Sequence, residues 1–245
     1  MQLVVKASAD AVAEAVADML AETITRQPAV VLGLPTGRTP VALYRTLVAR
    51  HRAGQLDFSQ VTVFNIDEFV GVSREHPGSF AAYMHHHLYR HVNLAPNRMH
   101  LPTGDAKDLR AEARRYEAAI QAAGGIDVMV LGIGENGHIG FNEPAPSLVS
   151  DTHVARLTIA TRRANAGLFE GVLRDVPRSG ITMGVGTLLR ARRVILLATG
   201  SSKARIVARA LEGPVTTRVP ASLLQTHPNV TAVIDRAASA RLRQR

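Results

Sequence analysis

Cysteine is absent from the 245 residues. That excludes disulfides, thiolate metal sites and a cysteine nucleophile. Aromatic residues make up only 4%, and neither a zinc-finger nor an RNP pattern is present. Lysine is scarce: Lys6, Lys107 and Lys203 stand among 29 basic residues. No apolar run approaches the roughly 20 residues of a transmembrane helix. The first twenty residues are broken by Lys6, Asp10, Glu14 and Asp18, so they do not read as a signal peptide. A soluble, cytoplasmic protein without a membrane partner is expected. No repeat and no low-complexity linker interrupts the chain.

The formal charge is +9 and the hydrophobic content 46%. The hydrophobic content is ample for a large core, in one α/β domain or two small ones. The charge fits either nucleic acid or an anionic small substrate. The arginines are scattered, with bunches at 162–163, 190–193 and 241–245. Without a recognition motif they read as a solvated basic surface, the last bunch as a frayed end, and no nucleic-acid partner is expected.

The patterning alternates. Apolar or β-branched runs at 29–34, 61–65, 126–131, 153–159, 180–185, 193–198 and 230–234 predict strands. Residues 41–52, 79–92, 109–123 and 202–211 predict helices, and a short basic helix ends the chain. This alternation predicts an α/β fold: one doubly wound, mostly parallel, Rossmann-like sheet with helices on both faces, in a single domain.

Four loops that follow strands carry chemistry. The richest is Gly132-Ile-Gly-Glu-Asn-Gly-His138-Ile-Gly-Phe-Asn-Glu143-Pro144. Its glycines allow a tight turn, its histidine can move protons near neutral pH, and Glu143 is near enough to orient it. Leu34-Pro-Thr-Gly-Arg-Thr-Pro40 bends at Gly37 before a helix. Amide groups there, with the Thr36 and Thr39 hydroxyls, suit a phosphate, although an ordinary strand–helix turn has the same pattern. It has neither the Walker spacing nor GxGxxG, so no nucleotide is indicated. Asp67 and Glu68 stand directly after a strand. One of them can face the crevice with a raised pKa, or either can simply cap the loop. Gly200-Ser-Ser-Lys203 offers a lysine at a helix start, as an anion partner or a solvated side chain. His85-His86-His87 and His91 lack the acid or cysteine set that would complete a metal site. They read as a solvated or partly packed helix face.

Together these loops resemble the glucosamine-6-phosphate deaminase family over roughly residues 1–235. The resemblance rests on Leu34-Pro-Thr-Gly-Arg-Thr-Pro40, Phe64-Asn-Ile-Asp-Glu-Phe-Val-Gly71, His76-Pro-Gly-Ser79, Gly132 to Pro144, Gly184-Val-Gly-Thr-Leu188 and Gly200-Ser-Ser-Lys203. It implies conversion of glucosamine 6-phosphate and water to fructose 6-phosphate and ammonia, with no metal or organic cofactor. It implies that His138 opens the sugar ring, that Glu143 orients and tunes it, that Asn136 positions the pair and that Asp67 is the C2 base. It further implies that Thr36, Gly37, Arg38, Thr39 and Lys203 contact the sugar phosphate and that Gly134 and Gly137 let the backbone approach the sugar. A lid is expected around 150–182. Many family members carry a phosphate-binding arginine where this chain has Gly167, and Arg162 or Arg163 is the candidate replacement. The alternatives are a deaminase for galactosamine 6-phosphate, a 6-phosphogluconolactonase-like hydrolase and a catalytically inactive sugar-phosphate sensor. The oligomeric state, monomer or homo-oligomer, is open.

The resemblance also places His153 and Ala155 where allosteric members carry basic residues for an acetylated activator. Hyperbolic rate curves are therefore expected. A sigmoidal curve abolished by N-acetylglucosamine 6-phosphate would refute this.

Overall fold

The computed structural model describes residues 1–243. Its strands and helices are, in chain order, β1 (Gln2–Lys6), α1 (Ala9–Arg26), β2 (Val31–Leu34), α2 (Pro40–Arg52), β3 (Thr62–Asn65), β4 (Asp67–Phe69), α3 (Phe80–His87), β5 (Met99–His100), α4 (Leu109–Ala122), β6 (Val128–Gly132), β7 (His153–Arg156), α5 (Ile159–Asn165), β8 (Ser179–Thr182), α6 (Val185–Leu189), β9 (Arg193–Ala198), α7 (Ala204–Glu212), β10 (Val230–Asp235) and α8 (Arg236–Ser239). The last two residues of the 241–245 arginine run lie outside the described residues. Among the described residues no helix is long and apolar enough to cross a membrane.

Seven strands form a parallel sheet in the order β1-β10-β9-β6-β2-β3-β5. Side chains alternate between its two faces, as the pleat demands. Leu32, Leu34, Val128 and Val130 join the core under α1, α2 and α3. Val31, Met129 and Leu131 join the core under α4 and α7. From β2 the chain moves on to β3 and β5. From β6 it moves the other way, to β9 and β10. The strands β2 and β6 are neighbours, so a crevice opens beyond their carboxyl ends, where ligands bind in doubly wound sheets.

The doubly wound, mostly parallel prediction holds, with four differences in detail. The segments at 153–159 and 180–185 do not enter the main sheet. Their strands β7 and β8 pair antiparallel with each other and with β4 in a separate three-stranded sheet. This small sheet covers its own apolar cluster, which includes Phe69, Phe80, Phe141 and Phe169. The strand predicted at 153–159 stops at Arg156 because Thr158 caps α5, its hydroxyl accepting from Thr161 N at 3.2 Å. The helix predicted at 79–92 ends at His87. Leu88 leaves helical geometry, and Tyr89 turns inward to donate its hydroxyl to Asn65 Oδ1 at 2.5 Å. Finally, β1 and α1 carry no sequence-based assignment. The buried face of α1 is built largely of alanine and valine, which reads weakly as a hydrophobic stripe.

The two adjacent acids have separate fates. Glu68 is 1% exposed, and its carboxylate accepts from the amides of Phe69, Phe80 and Ala81 at 2.8, 2.9 and 2.9 Å. It thus satisfies the orphan N–H groups at the start of α3. Burial raises its pKa and these amide bonds oppose that rise. Glu68→Ala leaves those donors unpaired and is expected to cost about 1–3 kcal/mol of stability. Urea unfolding checks this, and a loss below about 0.5 kcal/mol, within the range of an ordinary surface change, would contradict it.

Candidate active site

The loops after β2, β6 and β9, with the start of β4, surround one cleft of about 760 Å³. The β6 loop is a compact turn. Gly134 N donates to His138 O at 3.0 Å, and Gly137 N donates to Gly134 O at 2.9 Å. The His138 imidazole lies directly on the Gly134 backbone, where any Cβ would overlap the ring. Gly137 has a φ of +94°, which glycine adopts without penalty.

The side chains form a relay. Asn136 Oδ1 accepts from His138 N at 3.1 Å and lies 2.7 Å from His138 Nδ1. Asn136 Nδ2 donates to Glu143 Oε2 at 2.7 Å. These contacts fix the amide orientation, so Nδ1 of a neutral His138 carries the proton and Nε2 is the basic nitrogen. His138 Nδ1 and Glu143 Oε2 are 3.6 Å apart, beyond hydrogen-bond length. The glutamate therefore acts on the histidine chiefly through Asn136. Its other oxygen, Oε1, accepts from Thr158 N and Thr158 Oγ1, both at 3.1 Å, and from Thr161 Oγ1. Burial alone would raise the Glu143 carboxyl. The pull of His138, Thr161 and Thr158 outweighs burial and brings it down to about 2, so it stays ionised.

Asp67 is placed differently. It is the first residue of β4, 6% exposed, and its carboxyl lines the cleft. No hydrogen bond to that carboxyl is present among the described residues. Burial, and secondarily repulsion from Glu68, push its pKa well above the ordinary carboxylate value. A buried, unpaired carboxyl facing a cleft holds a proton more readily than an ordinary aspartate and is placed to exchange one with a ligand there.

One end of the cleft is cationic. Thr36, Gly37, Arg38 and Thr39 line it at the start of α2. Thr39 makes no side-chain cap, Pro40 has no N–H and Val41 N donates to Arg38 O at 3.4 Å, so an anion here would meet the hydroxyls of Thr36 and Thr39 and the amides of their turn. Lys203 reaches in from the turn before α7 and donates to Ile133 O at 2.9 Å. Burial lowers its pKa. Nearby Glu135 raises it and Arg38 lowers it.

Three expected contacts are placed elsewhere. Arg162 does not line the cleft, because its guanidinium is spent on Val176 O at 2.8 Å and Leu173 O at 2.7 Å. Arg163 is exposed and also absent from the cleft wall. Gly137 faces Val219 and Ile206 rather than the cleft. Thr161, Tyr83, His87 and Thr199 line the cleft without having been singled out as site residues. The local signal for Tyr83 and His87 is their one-turn spacing, which also fits a packed helix face. Among the described residues no three His, Asp or Glu side chains cluster as metal ligands.

A family model described as glucosamine-6-phosphate isomerases/6-phosphogluconolactonase matches residues 5–233. A glucosamine-6-phosphate deaminase of Rhodopirellula baltica is 50% identical over 230 residues, covering 94% of this chain and 91% of its own. One from Thermoanaerobacter pseudethanolicus is 42% identical over 239 residues, covering 98% and 94%. The solved structure of a monomeric glucosamine-6-phosphate deaminase matches with a TM-score of 0.95 at 41% identity, over 98% of this chain and 100% of that one. A 6-phosphogluconolactonase from Trypanosoma brucei, at 20% identity and a TM-score of 0.74, shares the fold over 99% and 98% of the two chains. A cleft at the β2/β6 crossing is thus set in a chain matched along nearly its whole length, and the chain belongs to the glucosamine-6-phosphate isomerase/6-phosphogluconolactonase family.

Proposed function

We propose that this chain is a glucosamine-6-phosphate deaminase, converting glucosamine 6-phosphate and water to fructose 6-phosphate and ammonia. The observation that carries this is the pairing in one cleft of two proton-transfer groups with different electrostatics. One is an imidazole held through an amide by an ionised carboxylate. The other is a buried, unpaired carboxyl. A ring-opening isomerisation needs both.

His138 Nε2 takes the proton of the anomeric hydroxyl and returns one to the ring oxygen, giving the open-chain aldehyde. Asp67, as carboxylate, removes the C2 proton, forming an enolamine, exchanges that proton with solvent and then protonates C1. That leaves an iminium at C2, which water hydrolyses to the ketone and ammonia. The phosphate occupies the end bounded by residues 36–39 and Lys203, where it meets the amides and hydroxyls of that turn and two cations. Residues 150–182 form the lid, because α5 within them supplies Thr158 and Thr161 to Glu143.

Purified protein given glucosamine 6-phosphate in D2O is expected to release ammonia and to place solvent deuterium at C1 of fructose 6-phosphate. Release of no ammonia, together with no deuterium incorporation, would overturn the reaction, and galactosamine 6-phosphate in the same assay decides between the two sugars. Asp67→Asn is expected to lower kcat by about 10²–10⁴-fold, and retained C2 proton exchange would remove Asp67 as the base. Because its pKa is raised, the acid limb of kcat/KM should lie above the ordinary aspartate value of about 4.

Glu143 gives the opposite sign in stability. Its folded pKa of about 2 lies below the unfolded glutamate value of about 4.3. Its contribution is therefore full above about pH 4.3 and is lost as pH falls towards 2. Glu143→Gln should flatten the acid side of the unfolding profile, and an unchanged profile would show that the carboxylate is not held ionised.

A further inference from the structure

The cleft wall contains an imidazole that the reaction above leaves idle. His87 is the last residue of α3 and the third of three consecutive histidines. The neighbouring imidazoles are engaged or exposed. His86 Nδ1 lies 3.1 Å from Arg90, and His91 Nδ1 lies 3.1 Å from Arg52. His85 is exposed and absent from the cleft wall. His87 is half-buried and lines the cleft. Among the described residues its ring nitrogens have no hydrogen-bond partner.

Its position is well determined. The ring lies against Tyr83, one turn earlier, with centroids 4.4 Å apart and planes at 54°. The Tyr83 hydroxyl donates to Gly37 O at 2.5 Å. Tyr83 therefore fastens α3, and with it His87, to the turn that opens α2. The same cleft wall carries Arg38, and Gly167 and Leu168 also border it. Burial first, then the positive charge of His86, Arg90 and His91, hold the His87 pKa below its ordinary value. The ring is neutral and carries one N–H with no acceptor among the described residues. That N–H is not sealed in the interior, so it is available to a ligand in the cleft.

We propose that His87 is a phosphate-binding residue, donating a hydrogen bond to the phosphate of the substrate as that group settles against residues 36–39. This rests on the cationic end of the cleft being the phosphate end. It gives the site a neutral donor beside Arg38 and Lys203, on an element separate from both.

The test uses inorganic phosphate as the probe, titrated calorimetrically into the intact chain and two variants. His87→Phe keeps the aromatic packing on Tyr83 and removes the donor. His87→Gln keeps a donor. Phosphate binding is expected to weaken about tenfold in His87→Phe, from loss of a hydrogen bond to a charged group, and to recover most of that in His87→Gln. With glucosamine 6-phosphate the loss in His87→Phe should fall on KM rather than kcat. Unchanged phosphate binding in His87→Phe overturns the proposal, as does His87→Gln binding as weakly as His87→Phe. If the wild-type chain fails to turn over the sugar but the phosphate series behaves as expected, the reaction falls and His87 stands. If the wild-type chain binds no phosphate, both fall.

Discussion

Everything in the site depends on one topological constraint. A parallel sheet that winds in both directions must have two neighbouring strands from which the chain departs to opposite sides. Here those strands are β2 and β6. No crossover helix can cover the gap between their ends, so the loops that follow are free to face each other. The β2 loop brings the start of α2 and the β6 loop brings His138. The chain then adds Asp67 by an unusual step. After β3 only Ile66 intervenes before β4 leaves for the second sheet. That departure turns one acid into the crevice and the next onto the amides of α3.

Two carboxylates at the cleft, Asp67 buried and Glu143 partly so, take opposite electrostatic roles, and the difference lies in their donors. Glu143 gathers backbone, hydroxyl and amide donors and remains charged. Asp67 gathers none, and burial raises its pKa unopposed. The cost of burial is similar in kind for each. Whether it is offset decides which carboxyl serves as a fixed charge and which can exchange a proton.

Much of this was legible in the sequence. Strand runs followed by glycine turns marked the crevice. His138, Glu143 and Asp67 stood out because polar residues directly after buried strands have few structural reasons to be there. The parts that escaped depend on geometry that a linear pattern does not encode. The placing of β7 and β8 in a second sheet follows from pairing with β4, far away in sequence. The departure of Arg162 from the cleft follows from two carbonyls at 173 and 176 that only the folded 150–182 segment brings near. Asn136 was expected to help position the histidine, but its place between Glu143 and His138 is set by side-chain distances. Tyr83 and His87 were hidden because one-turn spacing serves a packed helix as well as a cleft wall.

The three donors that Thr158 and Thr161 give to Glu143 come from the segment that borders the cleft. Any displacement of α5 strips them away together. The carboxylate would then protonate more readily, Asn136 would lose its anchor, and the proton on His138 would no longer be confined to Nδ1. The charge on Glu143, the orientation of Asn136 and the place of the proton on His138 therefore all rest on where α5 sits.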